Sequence, residues 1–317
     1  MVGLAEWTNE KEILFPEMTA LIIGLLIIDK RVWNVKRWQI ILLMTLGAVA
    51  GICIVRYSPL PYVVNLCAAF VFAGASLLIS RATLIPLISA CVLPVLLHTE
   101  SIIYPIAVFS MSVSVVLVQI ILEKCGIRNR MPKSVCRKPG KEDIIRWLIL
   151  FCFVGALAGL AVSMDYPYLI LPPLMVTFVE MVNSKAGFKN RPTQVFLFLA
   201  TAATLGTVLQ IVGHHHLHLP ESIIALTIAA ILFLIFEWTG KYFAPAGALA
   251  FIPMLLPQEG LGWLPLEASI GAALFITIAM VVFQKCYKWN RAQLIFCATP
   301  TLLREYMNRK KRKKQIE

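Results

Sequence analysis

Charge is what this sequence has least of. Only 15% of its 317 residues are Asp, Glu, Lys or Arg, whereas an ordinary soluble domain carries about 25%. With 59% hydrophobic residues and a mean hydropathy of +0.79, the composition excludes a soluble fold and predicts an integral membrane protein. Paired-cysteine spacing is lacking too. Cysteines 53, 67, 91, 125, 136, 152, 286 and 297 form no CxxC or zinc-like pattern, so they read as reduced packing residues. There is no nucleophile elbow, phosphate loop, metal-protease motif or paired-cysteine redox motif. No enzymatic activity, cofactor, resident metal or nucleic-acid partner is expected. The opening MVGLAEWTNEKE has neither the basic start nor the cleavage site of a signal peptide, so the first apolar stretch is expected to remain in the mature chain.

What is present is apolar runs. Candidate spans lie at 15–29, 38–55, 62–80, 83–97, 102–122, 144–164, 170–184, 193–212, 221–240, 243–257 and 266–284, eleven in number. Placing Lys and Arg on alternate sides of this scheme puts 27 of the 29 on one side, with Lys11 and Arg56 opposite. By the positive-inside rule the crowded side is cytoplasmic, which predicts a cell-membrane protein with its N-terminus outside and its C-terminus inside. If 83–97 did not cross, the eight basic residues from Lys124 to Arg146 would move outside.

The chain also writes one awkward segment twice. IPLISACVLPVLLHTE at 85–100 and APAGALAFIPMLLPQE at 244–259 match at Pro86/Pro245, Pro94/Pro253, Leu96/Leu255, Leu97/Leu256 and Glu100/Glu259, all offset by 159. Further matches are Phe15-Pro16-Glu17 with Leu171-Pro172-Pro173 at an offset of 156, Gln39/Gln194 and Gly51/Gly206 at 155, and Leu60-Pro61 with Leu219-Pro220 at 159. The change of offset marks an insertion around GHHHLH. The predicted fold is therefore all-α, with about eleven transmembrane segments as two parallel five-span repeats joined by one linker span. Its divisions are an external segment 1–14, repeat one 15–123, a basic cytoplasmic linker 124–143, the linker span 144–164, repeat two 165–285 and a basic cytoplasmic tail 286–317. The linker span carries Gly155 and Gly159, a GxxxG pattern that suits helix packing within the chain or a homo-oligomer contact.

Four segments are too short for a straight crossing. A helix needs about 20 residues for the ~30 Å hydrocarbon core, and 83–97, 243–257 and the proline-led FPEMTALIIGLLIID and LPPLMVTFVEMVNS have about 15. Their prolines remove backbone donors, and unpaired backbone survives at membrane depth only against protein or a water-filled cavity. Short, broken segments at matching places in two repeats point to a transport site, although tilted or interfacial helices are the plain alternative. On this reading Pro86, Pro94, Ala244, Pro245, Gly247 and Pro253 shape a site whose small side chains let backbone amides approach an anion.

Glu180 shares a helical face with Thr177 and Ser184, and repeat one has Gly24 or Leu25 in its place; it reads as a proton relay, a cation contact or a structural hydrogen-bonding group. Arg81 and Lys241 stand at the cytoplasmic mouth, and Glu237 is expected to pair with Lys241 at i+4. His98, His214, His215, His216 and His218 fall in external loops, where the HHHLH run lacks acidic or cysteine partners for a metal. The six basic residues Arg309 to Lys314 suit anionic lipid headgroups.

The order PPLMVTF at 172–178, Asn190-Arg191-Pro192, a glycine-bearing span, then Pro245-Ala-Gly-Ala248 with Pro253 behind it resembles the HPP transmembrane family. The family's His-Pro-Pro signature stands here as Ala244-Pro245-Ala246. The resemblance implies a transporter-like membrane protein for a small anion, since a plastid branch is associated with nitrite transport. The expected function is thus a transporter or channel for a small polar or anionic solute, with its site between the repeats. A non-transporting scaffold or sensor with a lipid- or partner-binding tail is the alternative.

Overall fold

The computed structural model describes residues 2–28, 31–129, 139–183 and 191–287, without the side chains of 284–287. Ser184, Asn190 and the tail with Arg309 to Lys314 lie outside the described residues, as do residues 130–138 of the basic linker. Among the described residues every regular element is helical.

A short α1 (Val2–Thr8) precedes α2 (Glu17–Ile22), which continues as a π-helical turn, Ile23–Ile27. Then come α3 (Arg37–Tyr57), α4 (Tyr62–Ser80), α5 (Leu87–Leu97), α6 (Ile103–Lys124) and α7 (Lys141–Ser163). The second half runs through α8 (Pro172–Asn183), α9 (Pro192–Leu209), α10 (Glu221–Thr239), α11 (Ala244–Phe251) and α12 (Leu264–Tyr287). The order short, long, long, short, long is the same in α2–α6 and in α8–α12.

Seven of these helices, α3, α4, α6, α7, α9 with its extension, α10 and α12, are long and apolar enough to cross a membrane. The chain thus has the helices of a multi-pass membrane protein. The expected spans 15–29, 83–97, 170–184 and 243–257 are the short ones, as the proline pattern foretold. One boundary needs correction: His214, His215 and His216 belong to a π-helical extension of α9, Gln210–His216, and not to a loop.

Proline and αL residues set the helix ends. Pro172 and Pro192 open α8 and α9, where the missing N–H would have been unpaired anyway. Pro61 and its counterpart Pro220 precede α4 and α10 and offer no side-chain cap. The halves solve this differently. In the first, Ser58 Oγ donates to Asn65 Oδ1 at 2.6 Å, and Asn65 Nδ2 donates to the Leu60 carbonyl at 3.1 Å. In the second, Glu6 of α1 accepts from the Glu221 and Ser222 amides at 3.1 and 3.3 Å, a cap borrowed from the N-terminal helix.

The long helices turn apolar side chains outward, such as Ile79, Leu226 and Leu234, a surface suited to lipid. The short helices form the core: α8, α11 and nearly all of α5 are buried. The first short helix of each half packs on the proline-bearing short helix of the other, α2 on α11 and α8 on α5.

Glycines set the height of this layer. A Cβ on Gly51 of α3 would strike the Cys91 carbonyl oxygen, and one on Gly206 of α9 would strike that of Ala250. Both pairs stand at equivalent places in the halves. Gly47, midway along α3, faces Leu87, the first residue of α5, so α5 begins at half the height of the long helices. A non-helical lead-in, 82–86, ending in a turn at Ile85 and Pro86, leads to that point. It pairs with the extended stretch 31–36, the Thr83 amide donating to the Asn34 carbonyl at 3.2 Å and the Asn34 amide to Thr83 Oγ1 at 2.7 Å.

Candidate functional site

A cavity of about 550 Å³ opens beside this pair of non-helical stretches. One wall is Arg31 to Asn34, a second is the end of α4 with the 81–85 lead-in, and a third is the start of α7 with Asp143, Arg146 and Trp147. Glu180 and Asn183 of α8 bring in the other half of the molecule. Its size is that of small-molecule sites. Non-helical backbone is also where it should be, against a cavity that can solvate it.

The electrostatics are unequal. Three arginines, Arg31, Arg81 and Arg146, face two carboxyl groups, those of Asp143 and the buried Glu180, in the described lining. Arg31 is committed to its own loop, donating to the carbonyls of Trp33 (3.0 Å) and Val35. Arg146 donates to Asp143 Oδ1 at 3.5 Å and to Asn183 Oδ1 at 3.4 Å. Asn183 lies at the end of α8, so this contact links the linker helix to the second half.

Glu180, only 8% exposed, accepts from the Trp33 indole N–H at 3.3 Å. The indole ring lies where a Cβ on Gly24 would have to be. Gly24 and Glu180 are the same position in the two halves, offset by 156, so one tryptophan bridges a matched pair whose members differ. It fills the place of the missing side chain in the first half and bonds the carboxyl in the second. Trp33 and Glu180 thus line the cavity as a bonded pair.

Arg81 occupies an unusual backbone. It ends α4 in the left-handed region at φ 54°, which costs a non-glycine residue about 1–2 kcal/mol. Its counterpart at offset 159 is Gly240, at φ 65° ending α10, where glycine adopts the turn without a Cβ penalty. The two turns are otherwise alike: the Ala82 amide reaches the Leu77 carbonyl at 3.2 Å and the Lys241 amide that of Phe236 at 3.1 Å.

Of the residues singled out from sequence, Arg81 and Glu180 meet at this cavity and the others do not line it. Pro86 caps α5, and Pro94 sits inside it without breaking it. The backbone that Pro94 was expected to leave open is satisfied by protein. The Ala90 carbonyl, four residues back, accepts the Tyr104 hydroxyl at 3.1 Å. Pro253 begins no new kinked cavity either, because the Ile252 amide turns to the Leu249 carbonyl. Ala244, Pro245 and Gly247 are buried, and Gly247 is small because Thr19 and Ile23 of α2 press against it.

Lys241 does not pair with Glu237. It donates to Gln194 Oε1 at 3.3 Å, while Tyr242 donates its hydroxyl to Glu237. Gln39, the match of Gln194, likewise holds the turn after α4, donating to the Ser80 carbonyl at 3.3 Å. Thr177 returns its hydroxyl to the Pro173 carbonyl of its own helix at 2.8 Å, so it adds nothing to a polar stripe. Gly155 faces Cys67 of α4, and Gly159 faces open space.

Sequence reasoning missed a second buried carboxyl. Glu17, 2% exposed in the first turn of α2, accepts the Ser89 hydroxyl of α5 through Oε1, and its Oε2 has no hydrogen-bond partner among the described residues. The positions matching Glu17 and Ser89 in the second half are Pro173 and Ala248. The signal was present in the aligned Phe15-Pro16-Glu17, where a carboxylate faces a proline. Arg31, Trp33 and Arg146 were missed because the sequence places them in a connection and a basic block.

No family model, no curated protein and no solved structure matches the chain.

Proposed function

We propose that the chain is a membrane transporter or channel for a small polar or anionic solute. In this reading it crosses the bilayer eleven times as two parallel five-span repeats joined by α7, with its N-terminus outside. Four of the crossings are made by short helices with non-helical lead-ins. The observation that carries the reading is the cavity itself. It lies at the contact of both halves with α7, has more arginines than carboxylates in its described lining, and includes a buried tryptophan–carboxyl contact.

The chemistry follows from that geometry. The positive-inside rule makes the cavity's basic side cytoplasmic. Arginines at its wall raise the local concentration of anions and supply donors in place of water. Trp33 and the packed layer of α2, α5, α8 and α11 close the path beyond. This arrangement suits a carrier standing open to one side. The resemblance to HPP proteins, with the family's histidine and second proline replaced, supports a small anion as cargo.

The test is uptake of labelled formate, nitrite and nitrate into proteoliposomes. The wild type is expected to show saturable uptake of at least one of them, and Glu180→Gln to change its rate or its pH dependence. A properly folded, reconstituted protein that moves none of these anions would contradict the reading.

A further inference from the structure

We propose that Arg81 is the residue that captures the anion in this cavity, and that the anion is a small monovalent oxyanion such as a carboxylate or nitrate. The inference rests on the transport reading and deepens it. Three independent observations converge on this residue.

Backbone conformation is the first. Arg81 ends α4 in a left-handed turn that the second half builds with Gly240. His98 ends α5 in the same conformation, so the turn tolerates a side chain; what sets Arg81 apart is that it puts a charged one where the second half has none. Partnering is the second. Arg31 is held by the Trp33 and Val35 carbonyls, and Arg146 by Asp143 and Asn183. The side chain of Arg81, an exposed residue whose amide closes the end of α4, makes no hydrogen bond or ion pair with any described residue, so its guanidinium donors are open to a ligand. Location is the third: Arg81 lines the cavity beside Thr83 and the non-helical lead-in to α5.

The ligand class follows from charge and shape. Arginines outnumber carboxylates in the described lining, so an anion is accommodated there without a further counter-ion. A planar guanidinium fork matches two oxygens of a carboxylate or nitrate side by side, a geometry no lysine reproduces. Asp143 already holds Arg146, so a dianion would have to displace it.

The experiment compares the full-length wild type with Arg81→Gly and Arg81→Lys in detergent, using formate and nitrate as probes. Melting temperature is read without anion, and binding by calorimetry. Arg81→Gly is expected to melt about 2 °C higher than the wild type, because the strain is relieved, and to bind at least about tenfold more weakly. Arg81→Lys is expected to fall between the two in affinity. If Arg81→Gly binds as well as the wild type, or melts lower, the role of Arg81 is overturned while the transport reading stands. If the wild type itself binds neither anion and moves none in proteoliposomes, the transport reading fails first.

Discussion

The first and second halves share a scaffold and differ where it matters for chemistry. Gly51 against Cys91 and Gly206 against Ala250 are the same contact made twice, and Gln39 and Gln194 hold the same turn twice. The polar residues of the core obey no such symmetry. Glu17 and Ser89 in the first half face Pro173 and Ala248 in the second, Gly24 faces Glu180, and Arg81 faces Gly240. Packing is duplicated because both halves must close the same helix layer. Charge is not duplicated, and the cavity described above draws its wall unequally from the two halves, from Arg31 to Asn34, the end of α4, the start of α7 and the end of α8.

Replacing the matched glycines should break the symmetric part most severely. Gly206→Val and Gly51→Val each drive a branched side chain into a backbone carbonyl of the neighbouring helix, where no rotamer change relieves the clash. Each is expected to lower stability by about 3 kcal/mol or more, seen as loss of monodisperse protein in size-exclusion chromatography. Unequal sensitivity of the two sites would show that the halves are not packed alike.

The Glu17–Ser89 contact comes next. Ser89→Ala leaves a buried carboxyl without its donor and is expected to cost about 1–3 kcal/mol. Adding Glu17→Met to it makes the site apolar like its counterpart, and the double variant is expected to recover most of that loss in a melting curve. Anion uptake by the recovered double variant then sharpens the comparison. Loss of uptake at unchanged stability would assign the pair a transport role, and normal uptake would make it structural.

At the paired turns the signs should be opposite. Arg81→Gly is expected to gain about 1 kcal/mol and Gly240→Ala to lose about the same, since αL favours glycine. Glu6→Ala removes the cap of α10 and is expected to cost about 1 kcal/mol. The matching end of α4, closed by Ser58 and Asn65, should be untouched, and hydrogen exchange at the two helix starts distinguishes them.

Much of this architecture is legible in the sequence, for a physical reason. Proline positions and apolar run lengths depend on local backbone rules, so the long apolar helices and the short ones could be read directly. The use made of those helices could not. Whether Pro94 leaves the Ala90 carbonyl open depends on the rotation of α6, which brings the Tyr104 hydroxyl to it. Whether Lys241 meets Glu237 depends on how near Gln194 and Tyr242 lie. The cavity joins residues from 31 to 183, separations over which periodicity carries no information. Arg81 and Glu180 were found because each is conspicuous on its own, as a charge at a helix end and a carboxylate in an apolar run. Trp33 was not, because an indole beside a glycine is visible only when both are placed.

The central claim is that a cavity with one uncommitted arginine loads a small anion. Charge-displacement recording on membrane-adsorbed proteoliposomes tests it most directly. A formate concentration jump is expected to give a transient current with the wild type and none with Arg81→Gly at equal protein density. Equal currents from the two proteins, or none from either, would contradict the account.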